Sequence, residues 1–257
     1  MNKSINLSSV ILARNEEKKI GRAIASVSFC DEVVVIDDNS SDLTPNIAKN
    51  KGAFVYNRAL DNDFSGQRNF GLSKAKGNWV LFLDADEEVS KDLANEILKK
   101  VTDSKNPYDG FYLKRRDNIW GKNLNYGENG NTKLLRLAKK GNGEWVREVH
   151  ETWNIKGRIG TLDNYFLHYS HQTLREFIDH VNYMSTLHAR SNMKEGKKST
   201  LVKIILWPKL KFINNYILRG GFRDGIYGFV VALIMSFHSY LAWSKIWLMQ
   251  KTTDRLK

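Results

Sequence analysis

Two carboxylates, Asp84 and Asp86, follow the apolar run Trp79–Leu83 and are separated only by Ala85. Short acidic side chains delivered onto one turn by a buried strand suit a divalent cation clamped on a diphosphate. Hard cations such as Mg²⁺ and Mn²⁺ take oxygen ligands and bind through one or two carboxylates plus substrate phosphates. For the tripeptide alone, a solvated turn capping a helix is the bland alternative. Residues upstream bear on the choice. Ala13-Arg14-Asn15-Glu16 closes the first apolar run just before a helical pattern, where side chains and a helix N-terminus can hold a polar or anionic ligand. Asp37-Asp38 closes the second run, and an acidic residue there can accept hydrogen bonds from ribose hydroxyls or a base N–H. Asn39 to Asp42 reads as an Asx-rich turn that caps the next helix. Arg68, within Ser65–Gly71, opens the helix before the Asp84 strand; it can balance a diphosphate or orient Asp84, or be an ordinary solvated arginine.

The elements that must position these residues alternate along the first hundred positions. Strands are expected at Leu7–Ala13, Glu32–Asp37, Ala53–Tyr56 and Trp79–Asp84, and helices at Lys18–Ser28, Pro45–Lys51, Ser65–Ala75 and Asp92–Val101. Such a series builds a mostly parallel α/β sheet, with ligands beyond the carboxyl ends of the strands. All three polar clusters fall there. Thr44-Pro45 is expected to open its helix as N-cap and first-turn proline, with Gly52 just past its end. From about Gly110 the strands shorten, at Phe111–Arg116, Lys133–Leu137 and Glu144–Val149. The Gly/Asn-rich stretch Gly121–Thr132 is expected to be a mobile loop over the site. A helix is expected again from Leu174 to about Met193.

The 257 residues, 42% of them hydrophobic, suffice for one large domain with an appendage. A boundary is expected at 195/196, separating a domain of residues 1–195 from a basic, apolar helical extension of residues 196–257. The single cysteine, Cys30, excludes an internal disulfide framework. The N-terminal residues lack the apolar core of a signal peptide, so a cytosol-facing protein is expected. The net charge of +12 is uneven: Lys197–Lys257 holds eleven Lys/Arg against Asp224 and Asp254. Bulky apolar residues lie between those charges, which favours an anionic membrane surface over nucleic acid as partner. Gly225–Ser244 carries no formal charge over twenty residues, the minimum for a membrane span. Its Ser, His and Tyr residues and flanking Arg, Lys and Trp suit a helix lying at the headgroup level. A true span, or a helix packed on its own domain or a partner, are the alternatives.

Four stretches in the first hundred residues, Val10–Glu16, Val33–Asp38, Gln67–Gly71 and Val80–Glu87, together resemble family 2 glycosyltransferases of the GT-A fold. Arg147–Glu151, Leu167–Ser170 and Gly220–Gly225 are similar to the subgroup that adds a sugar to the inner core of lipopolysaccharide, of the bacterial β-1,4-glucosyltransferase type. The resemblance implies transfer of a hexose from a UDP-sugar donor, with inversion, to a lipid-linked glycan at the cytoplasmic face of the inner membrane. It implies that Ala13, Arg14, Asn15, Glu16, Asp37, Asp38, Arg68, Asp84 and Ala85 contact the nucleotide-sugar, and that Asp86 holds a divalent cation, Mg²⁺ or Mn²⁺. His168 would complete the metal shell, with His150 and His171 as competitors. Inversion needs a base on the opposite face to take the acceptor proton. Glu151 is the choice, with Glu148 the alternative. Two other readings are a nucleotidyltransferase, which would need a Gly-rich basic phosphate loop that Arg14-Asn15-Glu16 does not provide, and a non-catalytic membrane-bound scaffold with a transferase fold.

Overall fold

The computed structural model describes residues 6–130, 132–147 and 151–255, with the side chains of 252–255 excepted. Contacts divide the chain into two compact units. The first comprises residues 1–115 and 133–168, the second 116–132 and 169–257.

In the first unit, β1 (Leu7–Ala13), β2 (Glu32–Asp37), β3 (Phe54–Asn57) and β4 (Trp79–Asp84) run parallel, interleaved with α1 (Ile20–Ser26), α2 (Thr44–Asn50) and α3 (Phe64–Lys74). Next come β5 (Glu87–Val89), α4 (Lys91–Thr102) and β6 (Gly110–Ile119), which runs past Arg115 into the second unit to pair with β7 (Lys122–Asn123). After α5 (Gly127–Gly130) follow β8 (Thr132–Lys139), β9 (Gly143–Val146), β10 (Thr152–Ile155) and β11 (Ile159–His168). Among the described residues the main sheet has the order β3-β2-β1-β4-β8-β6-β11-β5, while β9 and β10 form a separate antiparallel hairpin. β8 turns the sheet mixed by running antiparallel to β4, and β11 runs antiparallel to β5.

The inner strands are apolar along most of their length because both of their faces are covered; Ser8 and Ser9 of β1 are themselves fully buried, and Ser8 donates to Glu32 at 2.6 Å. Leu7, Ile11, Leu81 and Leu83 pack with Ile20 and Ile24 of α1 and Leu93 and Ile97 of α4 on one face. Val10, Val34, Ile36, Val80 and Phe82 pack on the other face, with Ala75, Trp145 and Trp153. Alternation along β4 therefore puts Asp84 on the Phe82 face, the side that α3 covers. A close approach of α3 to the sheet depends on Gly71, where a Cβ would stand 2.5 Å from Cγ1 of Val10.

The four parallel strands and three intervening helices stand within two residues of the ends expected from the apolar pattern. One local expectation is corrected. Thr44 is the first residue of α2 rather than its cap; its hydroxyl instead accepts from the Glu16 N–H at 2.7 Å, and Asp42 accepts from the Thr44 N–H at 2.9 Å. By contacts, α6 (Leu174–Lys194) groups with the residues that follow it.

The second unit gathers α6, α7 (Leu201–Phe212), a π-helical turn (Ile213–Leu218), a 3₁₀ turn (Gly221–Asp224) and α8 (Gly225–Arg255). α6 opens on a reciprocal capping box between Thr173 and Glu176. Its Phe177 and Val181 pack against Val231 and Ile234 of α8 and against Ile119 and Leu124. The stretch expected to be a mobile loop is fastened within this unit. Buried Asp224 accepts from the backbone N–H groups of Asn125 (3.0 Å) and Tyr126 (2.9 Å), the Gly127 N–H donates to Arg219 (3.0 Å), and Lys211 pairs with Glu128 at 2.6 Å.

Candidate functional site

The carboxyl end of β4 delivers Asp84 between two arginines. Arg68 of α3 donates from Nη2 to Oδ1 at 3.0 Å, and Arg136 of β8 donates from Nη2 to Oδ2 at 2.7 Å. Burial alone would push the Asp84 carboxyl up, but the charges of Arg136 and then Arg68 outweigh it and hold the group below the usual carboxylate range. Both guanidiniums are deeply placed, with side chains 4% and 7% exposed. Arg68 lies over the ring of Trp145, 4.8 Å from its centroid, and its Nε donates to Oε1 of Glu151 at 2.8 Å. A planar fork with delocalised charge suits both contacts. Glu87 is fully buried; its Oε2 accepts the Asp84 N–H at 2.8 Å, and its Oε1 lies 3.4 Å from Arg136. Burial raises the Glu87 carboxyl, with the Arg136 charge opposing.

Asp86 faces His168 at the end of β11, 3.3 Å from Oδ2 to Nε2. Its carboxyl is lowered: burial acts upward, but the His168 charge and hydrogen bond act downward more strongly. Glu16, paired with Lys19 at 3.2 Å, is raised by burial, with Lys19 opposing and the Asp86 charge adding to the rise. The end of β1 is therefore electrostatically coupled to the acidic doublet.

This donor set fits a cation that shares its shell with a ligand. Among the described residues no group of three His, Cys, Asp or Glu forms a metal cage. Asp86 and His168 would supply one oxygen and one nitrogen, and diphosphate oxygens would supply more. Asp84 is engaged by Arg68 and Arg136, so of the two carboxylates Asp86 is the one that could hold a cation. An anion is also expected here on independent grounds, because Nη1 of Arg68 and Nη1 of Arg136 are buried donors without a hydrogen-bond partner.

The turns after β1 and β2 brace each other. The Asp38 N–H donates to the Ala13 carbonyl at 2.9 Å; Asp38 accepts from Arg14 Nη1 (3.0 Å) and from the Leu60 N–H (2.8 Å). Asn15, in the left-handed region at φ 52°, accepts from the Ser41 N–H at 2.8 Å. Asp37 accepts from the Ser40 N–H at 3.0 Å, while its Oδ1 is buried with no partner. Ala85 turns its side chain into the core, and its N–H donates to Leu12. The structure thus brings Ala13, Arg14, Asn15, Glu16, Asp37 and Asp38 together at one sheet edge, and Arg68, Asp84, Asp86, Glu151 and His168 into one cluster. Glu148 and His150 lie outside the described residues. His171 belongs to the second unit, where it stacks on Phe177 at 4.3 Å. Arg136 and Glu87 were not anticipated. A signal was present: Arg136 is a lone charge within Leu134-Leu135-Arg136-Leu137-Ala138, and such a residue is rarely buried without a partner.

Comparison with known proteins bears on what this cluster serves. Residues 8–157 match the family model described as glycosyl transferase family 2. The chain is 28% identical over 250 residues to the lipopolysaccharide core biosynthesis glycosyltransferase LpsC of Rhizobium meliloti, covering 94% of this chain and 92% of LpsC. It is 30% identical over 258 residues to an uncharacterised glycosyltransferase of Rickettsia bellii, covering 93% and 85%. Among solved structures, residues 1–349 of S. aureus TarS align over 94% of this chain and 92% of that one, at 16% identity and a TM-score of 0.49.

Proposed function

The chain belongs to glycosyltransferase family 2, with the GT-A fold and a C-terminal helical extension, and from that premise we propose that it transfers a hexose, glucose, from a UDP-sugar with inversion to a lipid-linked glycan of the lipopolysaccharide inner-core type. The observation that carries this reading is the placing of Asp84, held by two arginines, beside the Asp86–His168 pair at the carboxyl edge of the sheet. Asp38 and Asp37, with Ala13 to Glu16, hold the uridine. Arg68 and Arg136 direct their unpartnered Nη1 donors to the diphosphate. Asp86 and His168 would hold a divalent cation, Mg²⁺ or Mn²⁺, which would supply positive charge to offset that of the departing diphosphate.

Transfer then follows from the roles of the side chains. The acceptor hydroxyl oxygen bonds to the anomeric carbon as the bond from that carbon to the diphosphate oxygen breaks, and its electron pair leaves with UDP. Glu151 takes the acceptor proton. Its bond to Arg68 Nε keeps the carboxylate oriented, and Arg68 in turn orients Asp84. Glu148 stands as the alternative base. The similarity to LpsC supports the acceptor class, and the basic, apolar character of residues 196–257 supports a location at the cytoplasmic face of the inner membrane, with that stretch as the membrane-associating extension.

Assaying a panel of UDP-sugars with Mn²⁺ or Mg²⁺, wild type beside Asp86→Ala, tests the reading. UDP release that favours UDP-glucose and vanishes in the variant is expected. Release that is indifferent to the metal and to Asp86, or pyrophosphate in place of UDP, overturns it.

A further inference from the structure

α8 is apolar around its whole circumference, yet its exposed residues fall on one stripe. Ile226, Phe229, Leu233, Phe237, Tyr240 and Trp247 follow one another at intervals of three, four or seven, the spacing of a single helical face. Val231, Ala232, Ala242 and Ile246 are buried against the rest of the second unit. α7 lies beside α8 and buries none of its residues. Leu201, Val202, Ile205, Leu206 and Leu210 are all exposed on it, as are Ile217 and Leu218 in the turn that follows. An open apolar groove of about 530 Å³ runs through this surface, lined by Ile178, Ile205, Pro208, Leu233, Phe237 and Tyr240. So large a contiguous apolar patch marks a surface that something covers.

Charge identifies the occupant. From Lys197 to Arg223 the chain carries seven Lys/Arg and no acidic residue, and Lys209 stands at the groove itself. A second copy seated here about a two-fold axis would set like charges against each other. An anionic lipid leaflet complements them, and Trp207 and Trp247, 40% and 39% exposed, have the amphipathic rings that settle at the headgroup level.

Among the described residues one helix, Gly221–Lys251, is long and apolar enough to cross a membrane. Its packing argues against that course. α6 lies along α8 and leaves Arg175, Glu176, Asp179, Arg190 and Lys194 exposed, so a spanning α8 would draw those charges toward hydrocarbon. α7, at 12 residues, is too short to span. Lys245, within α8, is held by neutral oxygens of α6, donating to Asn182, Ser185 and Thr186 at 2.6 to 2.8 Å.

The geometry points to a monotopic docking face: α7, the following turn and the exposed stripe of α8 lie in the plane of an anionic phospholipid leaflet, acyl chains fill the groove, and α8 does not cross the bilayer. This deepens the membrane location proposed above and rests on that reading.

The test uses the full chain with vesicles of phosphatidylcholine, with and without phosphatidylglycerol. Partition is expected to favour the phosphatidylglycerol vesicles by at least about tenfold and to fall as sodium chloride rises. Ile205→Glu with Leu206→Glu, at two exposed positions of α7, is expected to cost at least about tenfold in partition with thermal unfolding unchanged. Lys198→Glu with Lys209→Glu is expected to remove the preference for phosphatidylglycerol. Protein bound to inner membranes is expected to leave in alkaline carbonate. Retention in carbonate, unchanged partition of the apolar variant, or a stable dimer in solution that the apolar variant dissociates would each overturn the proposal. UDP release from the donor sugar, read without vesicles, is expected to be equal in wild type and the apolar variant. Its absence from the wild type would count against the transferase reading, whatever the vesicles show.

Discussion

At the scale of the residue, the site is a chain of charges in which each group fixes the next. Glu151 holds Arg68, Arg68 and Arg136 hold Asp84, and Glu87 holds both the Asp84 backbone and Arg136. A base acts in the transition state and hardly in the ground state. Glu151→Gln keeps an oxygen for Arg68 Nε and loses the proton acceptor. Sugar transfer by that variant is expected to fall by about 10²–10⁴, with donor affinity within a few-fold, measured by steady-state rates and UDP titration. An equal loss of UDP affinity would remove Glu151 from the role. Arg136→Met leaves Glu87 buried without its counter-charge, so urea unfolding is expected to show a loss of about 3–5 kcal/mol. A loss below about 1 kcal/mol would mean that Glu87 is neutral and needs no partner. Asp84 and Asp86 were legible in the sequence because an acidic doublet directly follows a buried apolar strand. Arg136 was not singled out, because its partners stand 52 and 49 positions earlier in the chain and no local pattern joins them.

At the scale of the element, the parallel half of the sheet follows from pattern, and the antiparallel half follows from partners. β1, β2 and β4 are covered on both faces and carry the apolar runs Val10–Ala13, Val33–Ile36 and Trp79–Leu83. β11, ten residues of Ile-Gly-Thr-Leu-Asp-Asn-Tyr-Phe-Leu-His, places only Leu162 and Phe166 fully inside, so its sequence resembles a loop. It nonetheless carries His168 to Asp86. β5 and β10, at three and four residues, are too short to show a period. α3 carries no apolar stripe, yet it sets the height of Arg68 through the contact at Gly71. Gly71→Ala drives a methyl into Val10, and urea unfolding is expected to report a loss of about 1–3 kcal/mol. UDP-sugar turnover is expected to fall with it, since Arg68 moves with its helix. Full stability and full turnover in that variant would show that α3 has room to shift. The expected mobile loop at Gly121–Thr132 illustrates the opposite limit: glycine and asparagine permit mobility, but Asp224, Arg219 and Lys211 fasten the segment from nearly a hundred residues away.

At the scale of the whole molecule, two compact units carry two kinds of surface. The first gathers carboxylates and arginines at the carboxyl edge of its sheet, in the arrangement expected for a nucleotide-diphosphate donor and a divalent cation. The second turns apolar side chains and lysines outward, as a protein that works on a lipid-linked acceptor would need. The basic and apolar character of residues 197–257 is legible in composition, whereas the grouping of α6 with them is not, because α6 has ordinary polar content and joins them by packing. Central to the proposed function is that Asp86 would hold a divalent cation able to draw a diphosphate into the cluster of Asp84, Arg68 and Arg136. Calorimetric titration of UDP, with and without Mn²⁺, into wild type and Asp86→Ala measures this directly. Mn²⁺ is expected to tighten UDP binding to the wild type at least about tenfold and to leave binding to the variant unchanged. An equal gain from Mn²⁺ in both proteins would contradict this role of Asp86.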